Sequence, residues 1–321
     1  MQPPNPHDAL VKFVFGNPEH AAGELRHILR PQLAARIDWS TLLLCSGSFV
    51  DEALRGRHSD LLFTARCGDK QVLVYLLFEH QSTGDPLMAF RLLLYMVRIW
   101  EQHLRANPKA TRLPAILPVV LHHSERGWTS PTSFEALIDL DEDTLPLVAE
   151  NLPRFTLLLD DISAERDEAL RGRAMTALAR LALFCLRHAR EPAELVDALG
   201  RWIDLVREVR AAPGGGEALA RIWRYIFVVS NPAQPEDLVK RLVGVVGKGS
   251  KEDVMTVAEW LREEGSKESL RKTLLKLLRA RFGEVPEGAV ARIQAAGSAQ
   301  LDAWLDRFVG AATVDDVLAD A

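Results

Sequence analysis

HSDLLFTARCGDKQVLVYLLFEHQ, residues 58–81, is the stretch whose reading decides the fold. His58 to Arg66 reads as a strand. Cys67-Gly68-Asp69-Lys70 has the composition of a hairpin turn. Gln71 to Phe78 is apolar at seven of its eight positions, which suits a strand buried on both faces in the middle of a sheet. Glu79, His80 and Gln81 then follow without a break. Burying a carboxylate, an imidazole and an amide without partners costs several kcal/mol, on the order of 2–7 for each neutral group. These residues are therefore expected to emerge at the strand end, where sites form in open α/β sheets. Strand alternation puts Glu79 and Gln81 on one face and His80 on the other.

Asp60 opens the preceding strand. In an antiparallel hairpin the beginning of one strand lies beside the end of the next, so Asp60 and Glu79 converge. Two carboxylates at one spot repel unless a proton or a cation separates them. A hard divalent cation such as Mg²⁺ suits oxygen ligands and leaves room for waters and a phosphate. It would neutralise the phosphate and lower the pKa of a water. The spacing alone is a weak pattern, because polar residues at strand ends commonly belong to turns and caps.

Upstream, Pro6-His7-Asp8 precedes a short helix that stops at Gly16-Asn17-Pro18, with Asp8 as its N-cap or first-turn acid. Glu19 to Leu33 reads as a second helix, and Ser40 to Val50 as the first strand. Downstream, a helix from Gly84 to about Arg105 carries Leu87, Phe90, Leu94 and Val97 in register for one face, with Trp100 or Glu101 continuing the row. Ala115 to His122 is another buried strand, and Phe155 to Leu159 reads as one more. The order α-β-β-β-α-β implies a mixed sheet in an α/β domain. Beyond about residue 164 the chain reads as helical, with Ala174–Arg190 and Pro192–Arg210 amphipathic and breaks at Pro213–Gly216 and Gly244–Ser250. The expected division is 1–165, 166–250 and 251–321.

With 48% hydrophobic and 26% charged residues, the 321-residue chain can build a sizeable core, and wholesale disorder is excluded. A net charge of −5 argues against a non-specific DNA coat protein; it leaves open an enzyme that holds DNA briefly in a local basic groove. Cys45, Cys67 and Cys185 are far apart, so reduced thiols in the cytoplasm are expected rather than a disulfide framework or zinc site. No signal peptide or membrane span is legible.

Taken together, Pro6-His7-Asp8-Ala9-Leu10 with Lys12 and Phe15, Ser48-Phe49-Val50-Asp51, Leu54-Arg55, Ser59-Asp60-Leu61-Leu62, Glu79-His80-Gln81-Ser82 and Ala89-Phe90-Arg91 resemble the Rpn family. These are the recombination-promoting nucleases, also called YhgA-like putative transposases, within the PD-(D/E)xK nuclease superfamily. The resemblance covers residues 6 to 165 and implies a restriction-endonuclease-like fold. It implies a metal-dependent DNA endonuclease with little sequence preference, linked to recombination or mobile DNA. Asp60 matches the motif's aspartate and Glu79 its second acid. Gln81 stands where the superfamily usually has lysine, and glutamine there is the pattern of this family. An amide accepts no proton near neutral pH, so Gln81 orients the attacking water or the phosphate rather than acting as base.

The resemblance also offers Asp8 as a third metal ligand, with His7 beside it; a plain helix cap is the alternative. Asp51 is a candidate acid behind the metal ligands. Arg55 and Arg57 are candidates to meet phosphate or are solvated loop cations. His122 and His123 are candidate ligands or polar caps of their strand. Leu274 to Leu305 resembles a small helical domain of unknown function appended to such nucleases. It reads as a helical hairpin, and it is a candidate surface for homo-oligomer formation. Lys267, Arg271, Lys272, Lys276, Arg279 and Arg281 form a basic face for DNA, for a partner or for solvent. Two further readings stand: an inactive DNA-binding or interaction module, and a transposase using the same metal chemistry, although no end-recognition module is legible.

Overall fold

The computed structural model describes residues 5–45, 59–79, 85–124, 126–163, 165–188, 192–230, 235–246, 267, 269–308, 310–311 and 313–319. At 59–60, 71, 75–79, 192–193, 235–236 and 246 it describes the backbone alone. The chain divides into two compact units, residues 1–232 and 233–321. The boundary expected at 165 falls inside the first unit.

The hairpin of the opening stretch forms as read. Strands β2 (Ser59–Cys67) and β3 (Lys70–Glu79) pair antiparallel from Ser59↔Phe78 to Cys67↔Lys70. Gly68 turns the chain at φ 62°, a left-handed conformation that glycine adopts without a Cβ clash. β3 is the middle strand of five, in the order β1-β2-β3-β4-β5. β1 (Ile37–Leu44) pairs antiparallel with β2. β4 (Ala115–His122) and β5 (Leu158–Asp161) run parallel to β3. The sheet is mixed, and the fold is the expected α/β class with a helical C-terminal region. β1 starts three residues before the expected Ser40, and β5 is displaced from Phe155–Leu159 to end on two aspartates.

The helices before the sheet are α1 (Pro6–Phe15), α2 (Pro18–Ile28) and α3 (Pro31–Ala34). The expected single helix from Glu19 to Leu33 is thus broken. Pro31 disfavours helical backbone at the preceding residue, and Arg30 sits at ψ 135°. Asn5, not Asp8, caps α1: its Oδ1 accepts the His7 backbone N–H at 3.0 Å. Asp8 lies in the first turn.

Helix α4 (Met88–Ala106) crosses from β3 to β4 and corrects the sequence reading more sharply. The stripe Leu87, Phe90, Leu94 and Val97 is on the outside, 41–55% exposed. The buried stripe is Met88, Leu92, Tyr95, Met96 and Ile99, packed on Leu62, Leu73, Ile116 and Val120 of the sheet. The helix carries two apolar stripes, and periodicity cannot say which one meets the sheet.

Short α5 (Leu145–Val148) precedes β5. After β5 come α6 (Asp167–Gly172), α7 (Ala177–Arg187), α8 (Pro192–Leu199), α9 (Ile203–Ala211) and α10 (Gly215–Ser230). They belong to the first unit because α7 and α10 pack on α1, and α7 on α2. Pro213–Gly216 is a tight corner between helices: a Cβ on Gly215 would lie 2.0 Å from the Val209 carbonyl oxygen.

In the second unit, helices at 269–282, Glu287–Ala295, Ser298–Phe308 and Val314–Leu318 close around Leu274, Leu278, Ile293, Leu301 and Trp304. This is more than the expected hairpin. Arg271 and Arg281 of the basic segment donate to the carbonyls of Ala296 and Phe308, while Lys272, Lys276 and Arg279 are exposed. Among the described residues, no helix is long and apolar enough to cross a membrane.

Candidate active site

The ladder fixes where the two acids stand. Asp60 pairs with Leu77 across the hairpin. Partners in an antiparallel ladder share a face, and Glu79 is two residues beyond Leu77, so positions 60 and 79 are diagonal neighbours on one face. The backbone supplies this juxtaposition; the two side chains are outside the described residues. Gln81, Asp51, Arg55 and Arg57 lie wholly outside them.

The parallel strands extend the row. Glu79 pairs with His122 of β4, and His122 with Asp161 of β5. Thus the carboxyl ends of three parallel strands carry Glu79, His122 and Asp161 side by side on the face that holds Asp60. This is the face covered by α4, since Leu62, Leu73 and Val120 share its parity.

The loop after β4 is tied to this row. His122, His123 and Ser124 are all buried. The Ser124 N–H donates to Ser163 Oγ at 2.8 Å, and its hydroxyl donates to the Gly127 carbonyl at 3.0 Å. Asp161 accepts the Trp128 backbone N–H at 2.6 Å and the Ser163 N–H at 3.1 Å. Gly127 makes the turn at φ 73°. The result sets the Trp128 ring edge-on to the His122 ring, 4.9 Å between centroids and 84° between planes. At the start of α4, Asp85 accepts from the Leu87 N–H at 2.9 Å and from Arg91 at 2.7 Å.

Asp8 is half-buried on α1, which packs on β2. His7 shares a 2.7 Å hydrogen bond with the Tyr225 hydroxyl of α10. Burial pushes the Tyr225 pKa well up, so that hydroxyl stays protonated. His123 lies beside His122 in chain order but on the opposite strand parity.

The sequence reading missed a buried ionic cluster. Asp160, on the face opposite Asp161, takes a two-pronged bond from Arg173, at 2.6 and 2.8 Å. The same guanidinium donates to Glu24 of α2 at 3.2 Å and to Glu165. Burial raises the Glu24 pKa well above the usual range, and the neighbouring Asp160 carboxylate adds to this. Burial also pushes Asp160 upward, but the Arg173 bonds outweigh it and hold the group below its ordinary value. Glu24 and Asp160 thus form a buried acid–carboxylate pair under one cation. His27, Asp160 and Glu165 have ligand atoms within 4.8 Å of one another, but Arg173 already stands as the cation of that group. No local signal could have found the cluster, since Glu24 and Arg173 are 149 residues apart.

Residues 5–213 match the family described as putative transposase, YhgA-like. The chain belongs to that family. Among its relatives is recombination-promoting nuclease RpnA of Escherichia coli K12, 31% identical over 82% of this chain and 86% of the relative. Recombination-promoting nuclease RpnD of Escherichia coli O157:H7 is 29% identical over 81% and 95% of the two chains. The inactive recombination-promoting nuclease-like protein RpnE of Escherichia coli K12 is 30% identical over 81% and 83%. No solved structure matches. The match spans the sheet and helices α1 to α9, so α6 to α9 after the sheet belong to the family's matched region.

Proposed function

We propose that this chain is a recombination-linked nuclease that hydrolyses DNA phosphodiesters with little sequence preference, using a divalent cation such as Mg²⁺. The observation that carries the reading is the register that sets Asp60 and Glu79 on one face at the carboxyl end of parallel strands, in a relative of proteins named nucleases. The donor set fits a hard cation, because two carboxylates offer the oxygen ligands such ions prefer. Asp60 and Glu79 would hold it, with Asp8 as a third donor. When bound, the cation supplies charge against the phosphate and lowers the pKa of water.

The remaining work falls to this chain's own groups. Gln81, two residues beyond Glu79, orients the attacking water or the scissile phosphate through its amide. Asp51 supports the acids from behind, and Arg55 and Arg57 meet phosphate.

The name of RpnE favours one other reading, a DNA-binding module that has lost turnover. One assay separates the two. Purified protein is incubated with supercoiled plasmid and Mg²⁺ or Mn²⁺, beside Asp60→Ala and Glu79→Ala. Nicking by wild type and a loss of about 10²-fold or more in both variants is expected, from several kcal/mol of cation stabilisation at 1.36 kcal/mol per decade. Binding without nicking across several divalent ions supports the inactive module, and equal nicking by the variants refutes the site.

A further inference from the structure

We infer that the outer stripe of α4 is the seam of a homodimer, in which two copies of the helix pack antiparallel across a two-fold axis.

Leu87, Phe90, Leu94, Val97 and Leu104 are 41–55% exposed, while the opposite stripe of the same helix holds α4 to the sheet. A helix lying on a sheet ordinarily turns charged and polar residues outward. Here the outward row is apolar from Leu87 to Leu104, about 26 Å of helix. The steps from Leu87 through Phe90, Leu94, Val97 and Glu101 to Leu104 alternate three and four. That is the heptad spacing with which one helix meets another, and five of its six places are apolar. A contiguous exposed apolar stripe of this kind marks an interaction surface.

The charges beside the stripe select a second copy of this chain as its cover. Leu87 mirrors Leu104, and Leu94 mirrors Val97, about the point between residues 95 and 96. Charges mirror with opposite sign about the same place: Asp85 with Arg105, and Arg91 with Glu101. Antiparallel packing about that point sets each residue beside its mirror image in the other copy. Leucine then meets leucine or valine, and acid meets arginine in reciprocal pairs, as an isologous interface requires. Parallel packing would instead face Glu101 with a second Glu101 in the seam, and such like-charge juxtaposition is unfavourable. Within the protomer Asp85 binds Arg91 at 2.7 Å, and Glu101 binds Arg98 at 3.2 Å and Arg105 at 3.5 Å. Pairing joins these two local groups into networks across the seam. One helix on each side lies at the low end of specific interfaces, on the order of 1,000 Å² in all, so the association is reversible and depends on concentration.

Sedimentation equilibrium of the full chain, from about 1 to 100 μM, tests this. The wild-type mass is expected to rise from 35.7 kDa toward twice that value. Leu94→Glu places two acids next to the axis and should weaken association about 10-fold or more. Lys276→Glu, an exposed change in the second unit, should leave it unaltered. Glu101→Arg and Arg91→Glu should each associate poorly alone, because like charges then meet twice. Mixed together they should form a heterodimer, because both pairs regain opposite charges; this also decides the matter if Leu94→Glu does not fold. Circular dichroism on dilute samples should show each variant folded, since the opposite stripe holds α4 in the protomer.

Wild type that stays at the protomer mass throughout would overturn the inference and leave the stripe to a different partner. A folded Leu94→Glu that associates as wild type does overturns it as well, and a loss confined to Lys276→Glu would move the interface to the second unit. Folded charge variants that do not combine when mixed refute the antiparallel pairing.

Discussion

Replacing Arg173 by methionine should be among the most damaging single changes in the first unit. The side chain is 2% exposed and is the cation that Asp160, Glu24 and Glu165 share. Methionine matches much of its length but leaves the Asp160 carboxylate, 8% exposed, without its counter-charge. Removing one partner of a buried pair costs about 3–5 kcal/mol, chiefly because an uncompensated charge remains. For a unit of this size each kcal/mol shifts Tm by about 2–4 °C, so the expected fall is about 6–20 °C.

The pH dependence distinguishes this cause from lost packing. In wild type the Asp160 pKa is depressed. Its contribution is therefore present above its unfolded value of about 3.9 and disappears as pH falls through the lower folded value. In Arg173→Met the chief group holding Asp160 down is gone, and burial raises its pKa against the weaker pull of the Glu24 hydrogen bond and His27. The variant then takes up a proton on acidification, and its deficit should narrow as pH falls from neutral toward the unfolded value of about 3.9. Calorimetry or circular dichroism across that range on both proteins is the assay. A deficit below about 1 kcal/mol, or one that does not change with pH, would refute the assignment of Arg173 as the structural cation.

Glu24→Gln removes a carboxyl that burial keeps protonated, so at about pH 5 its stability should match wild type to within about 1 kcal/mol. Wild type binds a proton in the fold that the unfolded chain releases above about pH 4.3, so its stability falls as pH rises from there toward the folded pKa; urea unfolding should show this slope flattened in the variant. Leu92→Ala should cost about 2–5 kcal/mol, whereas Leu94→Ala on the outer stripe should stay within about 0.5 kcal/mol, as read by denaturant midpoints. Gly127→Ala forces a side chain into a left-handed position, φ 73°, with its Cβ 3.1 Å from Asp161 Oδ2. It should cost about 1–2 kcal/mol, as read by thermal unfolding.

The sequence by itself determined the hairpin and the order of strands around it. Turn chemistry at Cys67–Lys70 and the apolar run after it are local, and strand parity follows from chain order. The shared face of Asp60 and Glu79 is legible from these two facts alone. α4 was legible as a helix but not in its facing, because Leu87-Phe90-Leu94-Val97 and Met88-Leu92-Tyr95-Met96-Ile99 are both apolar stripes, and only packing against Leu62 and Val120 selects one.

The end of β5 was misplaced for a related reason. Asp160 and Asp161 read as a strand's polar boundary, yet Arg173 and the Trp128 N–H give them partners within the fold. The buried cluster and the lateral row from Glu79 through His122 to Asp161 were decided by tertiary structure alone. They join groups up to 149 residues apart, and burial is what makes a charge or an imidazole there consequential. Local periodicity carries no information about which distant strand will stand alongside.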